Sequence, residues 1–156
     1  MAIDMNVFRG FGEQIKMLPQ MAQPTDCPDN ERLKRAKAVF AAKLDSSKAT
    51  FLESCVHCGL CAEACQFYIQ TEDPKFTPIH KLDLLKRFYR REKAPLRFFH
   101  RLTEPEITEA DLEATQELVY ESCTECGRCG LVCPMGIDIA AMVHITREGL
   151  AQAGLI

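Results

Sequence analysis

The segment CVHCGLCAEAC, residues 55–65, repeats the cysteine spacing of CTECGRCGLVCP, residues 123–134. Both segments read C-x₂-C-x₂-C-x₃-C, and the second ends in a proline that the first does not have. Eight of the nine cysteines in the 156-residue chain lie in these two segments. This spacing is typical of polypeptides that bind cubane [4Fe–4S] clusters, each of which takes four thiolates. The repeat therefore predicts two such clusters in one chain.

In each of these two cysteine runs, three residues separate the third cysteine from the fourth. This wider gap predicts that the fourth cysteine of each run binds the cluster of the other run. In two-cluster ferredoxins the fourth cysteine of each run binds the other cluster. The expected ligand sets are Cys55, Cys58, Cys61 and Cys133 for the first cluster, and Cys123, Cys126, Cys129 and Cys65 for the second. Clusters that share loops in this way lie close together, and a close pair of one-electron centres conducts electrons. We therefore expect an electron-transfer protein that has eight metal ligands and no catalytic residue.

Two other uses of cysteine fit the pattern less well. A zinc site also takes four thiolates, but it joins two separated pairs and needs no third cysteine two residues further on. A disulfide framework is typical of small secreted chains, whereas we find no secretory signal here. The ninth cysteine, Cys27, has no partner at ligand spacing. We interpret it as a buried or incidental thiol, with contact to a partner as the alternative.

Charge is divided along the chain, although the formal net charge is only −3. Residues 75–101 hold nine Lys and Arg against two acids, and residues 102–127 hold eight acids and no Lys or Arg. Either two helix faces neutralise each other, or the basic block binds an acidic partner surface. In the second case the orienting side chains would be Lys86, Arg87, Arg90 and Arg91. Nucleic acid is not an expected partner, because no recognised binding motif accompanies the basic block.

Membrane-spanning and export signals are missing from the pattern. No apolar run approaches the about 20 residues that a bilayer requires, and residues 1–20 lack the profile of a signal peptide. We expect a cytoplasmic protein, since thiols stay reduced there and remain available to clusters. Peripheral association with a membrane is compatible with this expectation.

The rest of the chain predicts an all-α architecture. Residues 1–28 are rich in glycine and proline and are expected to form an irregular arm, whereas residues 29–156 form the dicluster domain. No stretch has a convincing strand pattern. The predicted helices cover residues 29–44, a short piece after 46, 61–70, 77–93, 108–123 and 138–150. Their expected N-caps are Asp29 or Asn30, Ser46 or Ser47, Thr77, Thr108 with Asp111, and Asp138.

Several side chains near the loops have two interpretations. His57 lies between two expected ligands and could tune a cluster, but we favour a solvent-facing position. Arg128 is taken as its counterpart in the second loop and has the same ambiguity. In the helix over residues 77–93 we place Lys81 on the outer face, together with the arginines of the basic block.

The segment 121–139, which includes ESCTECGRC and CPMGIDI, resembles the C-type iron–sulfur subunits of the heterodisulfide reductase family. Iron–sulfur oxidoreductases of the DsrK type and the C-type subunits of glycerol-3-phosphate dehydrogenase are related. The resemblance extends over about residues 30–156, although Gln66 stands where the family usually has proline. It implies an α-helical ferredoxin fold in which a helical insertion joins two cluster-binding loops. It also implies two [4Fe–4S] clusters.

The resemblance further implies a partner. In this family the clusters exchange electrons with a catalytic subunit that carries two CCG-type motifs, within a larger complex that includes a flavin-containing subunit. This chain has no CCG motif, so we expect it to be inactive alone. Two alternatives remain open from the sequence. One is a free ferredoxin-like carrier, and the other is an iron–sulfur subunit of a respiratory dehydrogenase docked to a membrane.

Overall fold

The computed structural model describes residues 27–155, and every regular element in that range is helical, which confirms the all-α prediction. The predicted arm, residues 1–28, lies almost wholly outside the described part. The α-helices are α1 Asp29–Lys43, α2 Ser46–Ser54, α3 Leu60–Glu63, α4 Gln66–Thr71, α5 Asp83–Glu92, α6 Arg97–Thr103, α7 Glu109–Gln116, α8 Arg128–Leu131 and α9 Ile139–Gln152. Short 3₁₀ turns cover Pro74–Phe76 and His80–Leu82, and a π-helical turn covers Glu117–Glu121.

Two of the predicted helix starts are confirmed by their hydrogen bonds. Asp138 caps α9, where its Oδ1 accepts the Ala141 N–H at 3.0 Å, and Thr108 forms the predicted capping box with Asp111. Helix α2 is capped by Asp45 instead of Ser46 or Ser47. A carboxylate is favoured at this position because it both accepts a backbone N–H and interacts with the positive end of the helix.

Two predicted helices are wrong in extent. The single helix expected over residues 61–70 is divided into α3 and α4, because Cys65 has an extended backbone with φ −87° and ψ 115°. The helix expected from Thr77 begins as a turn and a 3₁₀ segment, and α-helical geometry starts only at Asp83. Both irregular stretches lie beside the cysteine loops, so the demands of the site override local helix propensity there.

Helices α1 and α9 pack side by side and form the centre of the core. Phe40 on α1 is completely buried, and its ring meets that of Phe88 edge to face at 5.5 Å between centroids. Gly149 on α9 faces the same ring so closely that a Cβ there would lie 2.3 Å from Phe40 Cε1. The remaining fully buried side chains around this contact include Leu85, Leu112, Val119, Met142 and Leu150. The absence of a side chain at Gly149 thus permits the close approach of the two helices.

The basic and acidic blocks neutralise each other across the fold. Lys75 pairs with Glu117 at 2.6 Å, Arg87 pairs with Asp111 at 2.6 Å, and Arg90 pairs with Glu104 at 2.9 Å. Two further basic side chains of the block, Arg91 and Lys86, are hydrogen-bonded to the Glu104 carbonyl and the His57 ring. The structure therefore shows mutual neutralisation for three of the nine basic side chains, including Arg87 and Arg90, two of the four that were expected to orient a partner.

The pKa of Asp111 reflects this neutralisation. Partial burial alone would raise the pKa of its carboxyl, but hydrogen bonds from Arg87 and Thr108 outweigh the burial and bring the pKa below its ordinary value.

Within residues 27–155, the helices are too short or too polar to cross a bilayer.

The packing of Gly149 on Phe40 generates a stability prediction. Gly149→Ala is expected to lower the free energy of unfolding by about 1–3 kcal/mol, because the added methyl group overpacks the core. Helix propensity alone would give the opposite sign, with a gain of up to about 1 kcal/mol. Anaerobic denaturant unfolding of the cluster-loaded protein measures the difference. In a Phe40→Leu background the smaller side chain leaves room, so the cost should fall. A stabilised Gly149→Ala variant would contradict the packing argument.

Candidate iron–sulfur site

The two cysteine loops share the same backbone conformation. In the first loop His57 and Gly59 have positive φ, at 55° and 83°. In the second loop Glu125 and Gly127 have positive φ, at 52° and 77°. Two left-handed residues separated by one position curl each loop tightly, and a one-turn helix, α3 or α8, follows in each case. The structural counterpart of His57 is therefore Glu125, and the expected equivalence with Arg128 is wrong.

The first loop and the last cysteine of the second loop line one cavity. Its wall includes the side chains of Cys55, Cys58 and Cys61 together with Cys133, and the volume is about 180 Å³. Most of the remaining wall is apolar, namely Ile79, Leu82, Ile137, Ile139, Val56, Pro134 and Met135, and His57, Gly59 and His80 also line it. Leu82 belongs to the 3₁₀ turn before α5, and Ile139 is the first residue of α9. Both elements therefore lie against the cysteine loops.

The second loop and the last cysteine of the first loop line another cavity. Cys123, Cys126 and Cys129 share it with Cys65, and its volume is smaller, about 30 Å³. The extended backbone at Cys65, which divides α3 from α4, accompanies this placement. Each cavity thus receives three cysteines from one run and one from the other.

The donor set of each cavity fits a cluster. Four cysteines surround each cavity, and a [4Fe–4S] cluster takes four thiolates. A structural zinc ion needs its ligands at about 2.0–2.3 Å around a single point. Among residues 27–155, no three His, Cys, Asp or Glu side chains form a group that could hold one metal ion. The four cysteines of each quartet instead surround a cavity.

The thiols differ in how readily they ionise. Burial raises the pKa of the Cys129 thiol to about 11, and burial followed by repulsion from Cys55 and Cys58 raises the pKa of Cys61. The pKa of Cys126 is lowered, chiefly by the backbone N–H of Arg128. Metal ligands bind as thiolates, so binding at the buried thiols has to displace protons.

Two lysines near the loops are buried, which the sequence did not predict. Lys81, expected on the outer face, is only 2% exposed, and its Nζ donates to the Ser122 carbonyl and lies 3.9 Å from Cys65 Sγ. Lys86 is also buried, and its Nζ lies 2.9 Å from His57 Nε2. His57 itself is exposed, as expected, but its ring is hydrogen-bonded. A lysine inside a run of basic residues resembles a surface residue, so the sequence contains no signal for this burial.

Arg147 on α9 anchors the second loop and was not singled out from the sequence. Its guanidinium donates to the carbonyls of Val119 and Cys123, and it pairs with Glu125 at 3.2 Å. Its guanidinium carbon also lies over the ring of Tyr120, 4.9 Å from the centroid. These contacts tie the second loop to the core helix α9. The anchor explains how a loop rich in left-handed residues is held in place.

The comparisons with known proteins support an iron–sulfur protein. The model of the 4Fe-4S dicluster domain matches residues 54–138, more than half of the chain. The chain is 39% identical over 108 residues to the Hdr-like menaquinol oxidoreductase iron-sulfur subunit 2 of Archaeoglobus fulgidus. That match covers 67% of this chain and 19% of the relative.

A subunit of a heterodisulfide reductase is also among the similar proteins. The chain is 27% identical over 126 residues to the D-type subunit of the dihydromethanophenazine:CoB–CoM heterodisulfide reductase of Methanosarcina mazei, covering 78% of this chain and 29% of the relative. The chain thus spans less than a third of the length of these curated relatives. No solved structure matches it significantly. The relatives confirm the resemblance to heterodisulfide reductase-like iron–sulfur subunits, and, with the match over residues 54–138, the chain belongs to the family of 4Fe-4S dicluster domains.

Proposed function

We propose that this chain is the electron-transfer subunit of a heterodisulfide reductase-like complex and relays electrons through two [4Fe–4S] clusters. The observation that carries the proposal is the presence of two cavities with four cysteines each. Family membership and the names of the relatives support an iron–sulfur subunit of this kind. Each cluster, when bound, supplies a one-electron centre, and the protein's task is to hold the two centres close together.

The proposed ligand sets are the crossed ones. In the proposal the first cluster takes Cys55, Cys58, Cys61 and Cys133, and the second takes Cys123, Cys126, Cys129 and Cys65. Support comes from the cavity walls, which group the eight thiols in the same two quartets. Because each run would contribute to both clusters, the loops cannot separate without losing a ligand. The crossing therefore keeps the electron path between the two centres short.

We also propose that the electrons pass to or from a CCG-domain subunit, with a flavin-containing subunit further along the same complex. The chain matches only 19–29% of the length of the curated relatives named above, so most of each relative has no counterpart in it. In this proposal the catalytic site belongs to the CCG-domain subunit. The thiol-bound clusters favour a cytoplasmic location, where such a complex could also sit against a membrane.

Helix α6 is the proposed contact for that partner. Leu96, Phe98, Phe99 and Leu102 on or next to α6 are each more than 60% exposed. The rings of Phe98 and Phe99 meet edge to face at 5.8 Å between centroids, and exposed apolar groups of this kind are typical of protein–protein contacts. This observation favours a docked subunit over a free carrier, which would expose these rings to water at all times. The basic block offers less support for docking, since Arg87 and Arg90 are paired within the fold and Lys86 is buried.

Metal analysis tests the cofactor. Anaerobically prepared protein is expected to contain about eight iron and about eight acid-labile sulfide ions per chain, because two cubanes require that number. Reduction with dithionite should bleach the visible absorption. Stoichiometric zinc without sulfide would contradict the proposal.

Cysteine variants test the crossed ligation. Cys65→Ala is expected to damage the same cluster as Cys126→Ala, and Cys133→Ala the same cluster as Cys58→Ala, since each outlying thiol lines the other loop's cavity. Electron paramagnetic resonance (EPR) spectra of the reduced variants make the comparison. Cys27→Ala is the matched control and should keep both clusters. Ligation would be local if the Cys65→Ala spectrum matched that of Cys58→Ala.

Charged substitutions on α6 test the partner contact. Phe98→Glu combined with Leu102→Glu is expected to weaken binding of a co-expressed CCG-domain subunit at least about tenfold, because a buried unpaired charge is costly. The matched control places glutamates at two exposed alanines of α1, Ala38→Glu with Ala42→Glu. Binding and iron content are measured together. Wild-type affinity in the α6 variant would exclude this contact, and absence of any binding by the wild-type chain would favour a free carrier.

A further inference from the structure

Lys81 places a positive charge inside the wall of the second cavity. Its side chain is 2% exposed, and its Nζ lies 3.9 Å from Cys65 Sγ and within hydrogen-bonding distance of the Ser122 carbonyl. The ring centroid of Phe67 is 5.3 Å from the same nitrogen. Cys65, Ser122 and Phe67 all line the second cavity, as Lys81 itself does. The ammonium group therefore belongs to the environment of this cavity and is shielded from bulk water.

The charge of Lys81 has no carboxylate to balance it in the described part of the chain. None of the ion pairs found within residues 27–155 involves Lys81. A buried charge is costly unless it is paired and hydrogen-bonded. The carbonyl and the aromatic ring offset part of this cost. Glu125 lines the same cavity but pairs with Arg147. The counter-charge next to the Lys81 ammonium is therefore the Cys65 sulfur, as a thiolate, together with the negative charge of a cluster bound to it.

The first cavity has a different arrangement. Lys86 also reaches a cysteine loop from α5, and it is also buried. Its Nζ, however, is bound to His57 Nε2 at 2.9 Å, and His57 is exposed to solvent. The charge of Lys86 is therefore directed to a solvated imidazole, whereas that of Lys81 is directed to a thiol. The two cavities differ in the position of the nearest ammonium group.

We propose that Lys81 raises the reduction potential of the second cluster above that of the first. This inference rests on the proposed function, because it requires the two clusters. Reduction adds one electron to a cluster and forms or breaks no bond, and a fixed positive charge in a water-poor wall stabilises the added negative charge. Hydrogen bonds and charges at the cysteine sulfurs are known determinants of cluster potential. Lys81 acts through Cys65 and is a positioning residue, not a ligand.

Redox titration of the full chain tests the inference, with dithionite as the electron donor and EPR spectroscopy as the readout. Lys81→Gln removes the charge and keeps a donor for the Ser122 carbonyl. At a fixed applied potential, the reduced-to-oxidised ratio of the second cluster is expected to fall about tenfold or more, which is about 59 mV for a one-electron couple. Lys81→Arg keeps the charge and should retain most of the potential. Lys86→Gln is the matched control and should leave the second cluster unchanged.

The possible outcomes separate this inference from the proposed function. An unchanged second-cluster potential in Lys81→Gln with full iron and sulfide overturns the inference alone. A wild-type chain without sulfide overturns the proposed function. If Lys81→Gln loses its second cluster, two single-cluster variants decide the matter. Cys58→Ala, which should retain the second cluster, is expected to have the higher potential, and Cys126→Ala, which should retain the first, the lower. The reverse order overturns the inference.

Discussion

The structure depends on one geometric constraint, which is that the last cysteine of each run has to reach the cavity of the other run. Cys65 and Cys133 meet this requirement, and each lies in the wall of the cavity formed by the other loop. A short chain segment that leaves one loop has to turn sharply to arrive at the other. The left-handed residues before α3 and α8 curl each three-cysteine loop, and the extended backbone at Cys65 turns the chain after α3. The local irregularities of the fold thus follow from the placement of two thiols.

The helical core serves the same constraint. Helices α1 and α9 pack closely because Gly149 leaves space for the Phe40 ring, and α9 begins shortly after the second loop. Arg147, two residues before Gly149 on the same helix, reaches back to the carbonyls of Val119 and Cys123. A rigid helix therefore holds the second loop from behind. The stability of the core and the geometry of the site are coupled through this helix.

Charge has two separate roles in this fold. Three of the nine basic side chains of residues 75–101 pair with the acidic block, and the pair of Arg87 with Asp111 joins α5 to α7. Lys81 belongs to the same run of sequence but lies inside the second cavity, next to Cys65. Basic residues of the same sequence segment can thus lie in very different environments, on the surface or inside a cavity wall. The exposed apolar residues of α6, rather than the basic block, remain available for contact with a partner.

The sequence by itself determined the helical class, the cofactor type and the division of eight cysteines into two runs. Cysteine spacing and the cap at Asp138 act over a few residues, so they can be read without the fold. Only the tertiary structure decided the features that depend on distant residues. Lys81 meets Ser122 across 41 positions, and Gly149 meets Phe40 from the other end of the domain. The break between α3 and α4 at Cys65 also depends on distant residues, because Cys65 lines the cavity of the second loop. Such contacts arise from how helices pack, and no local pattern encodes them.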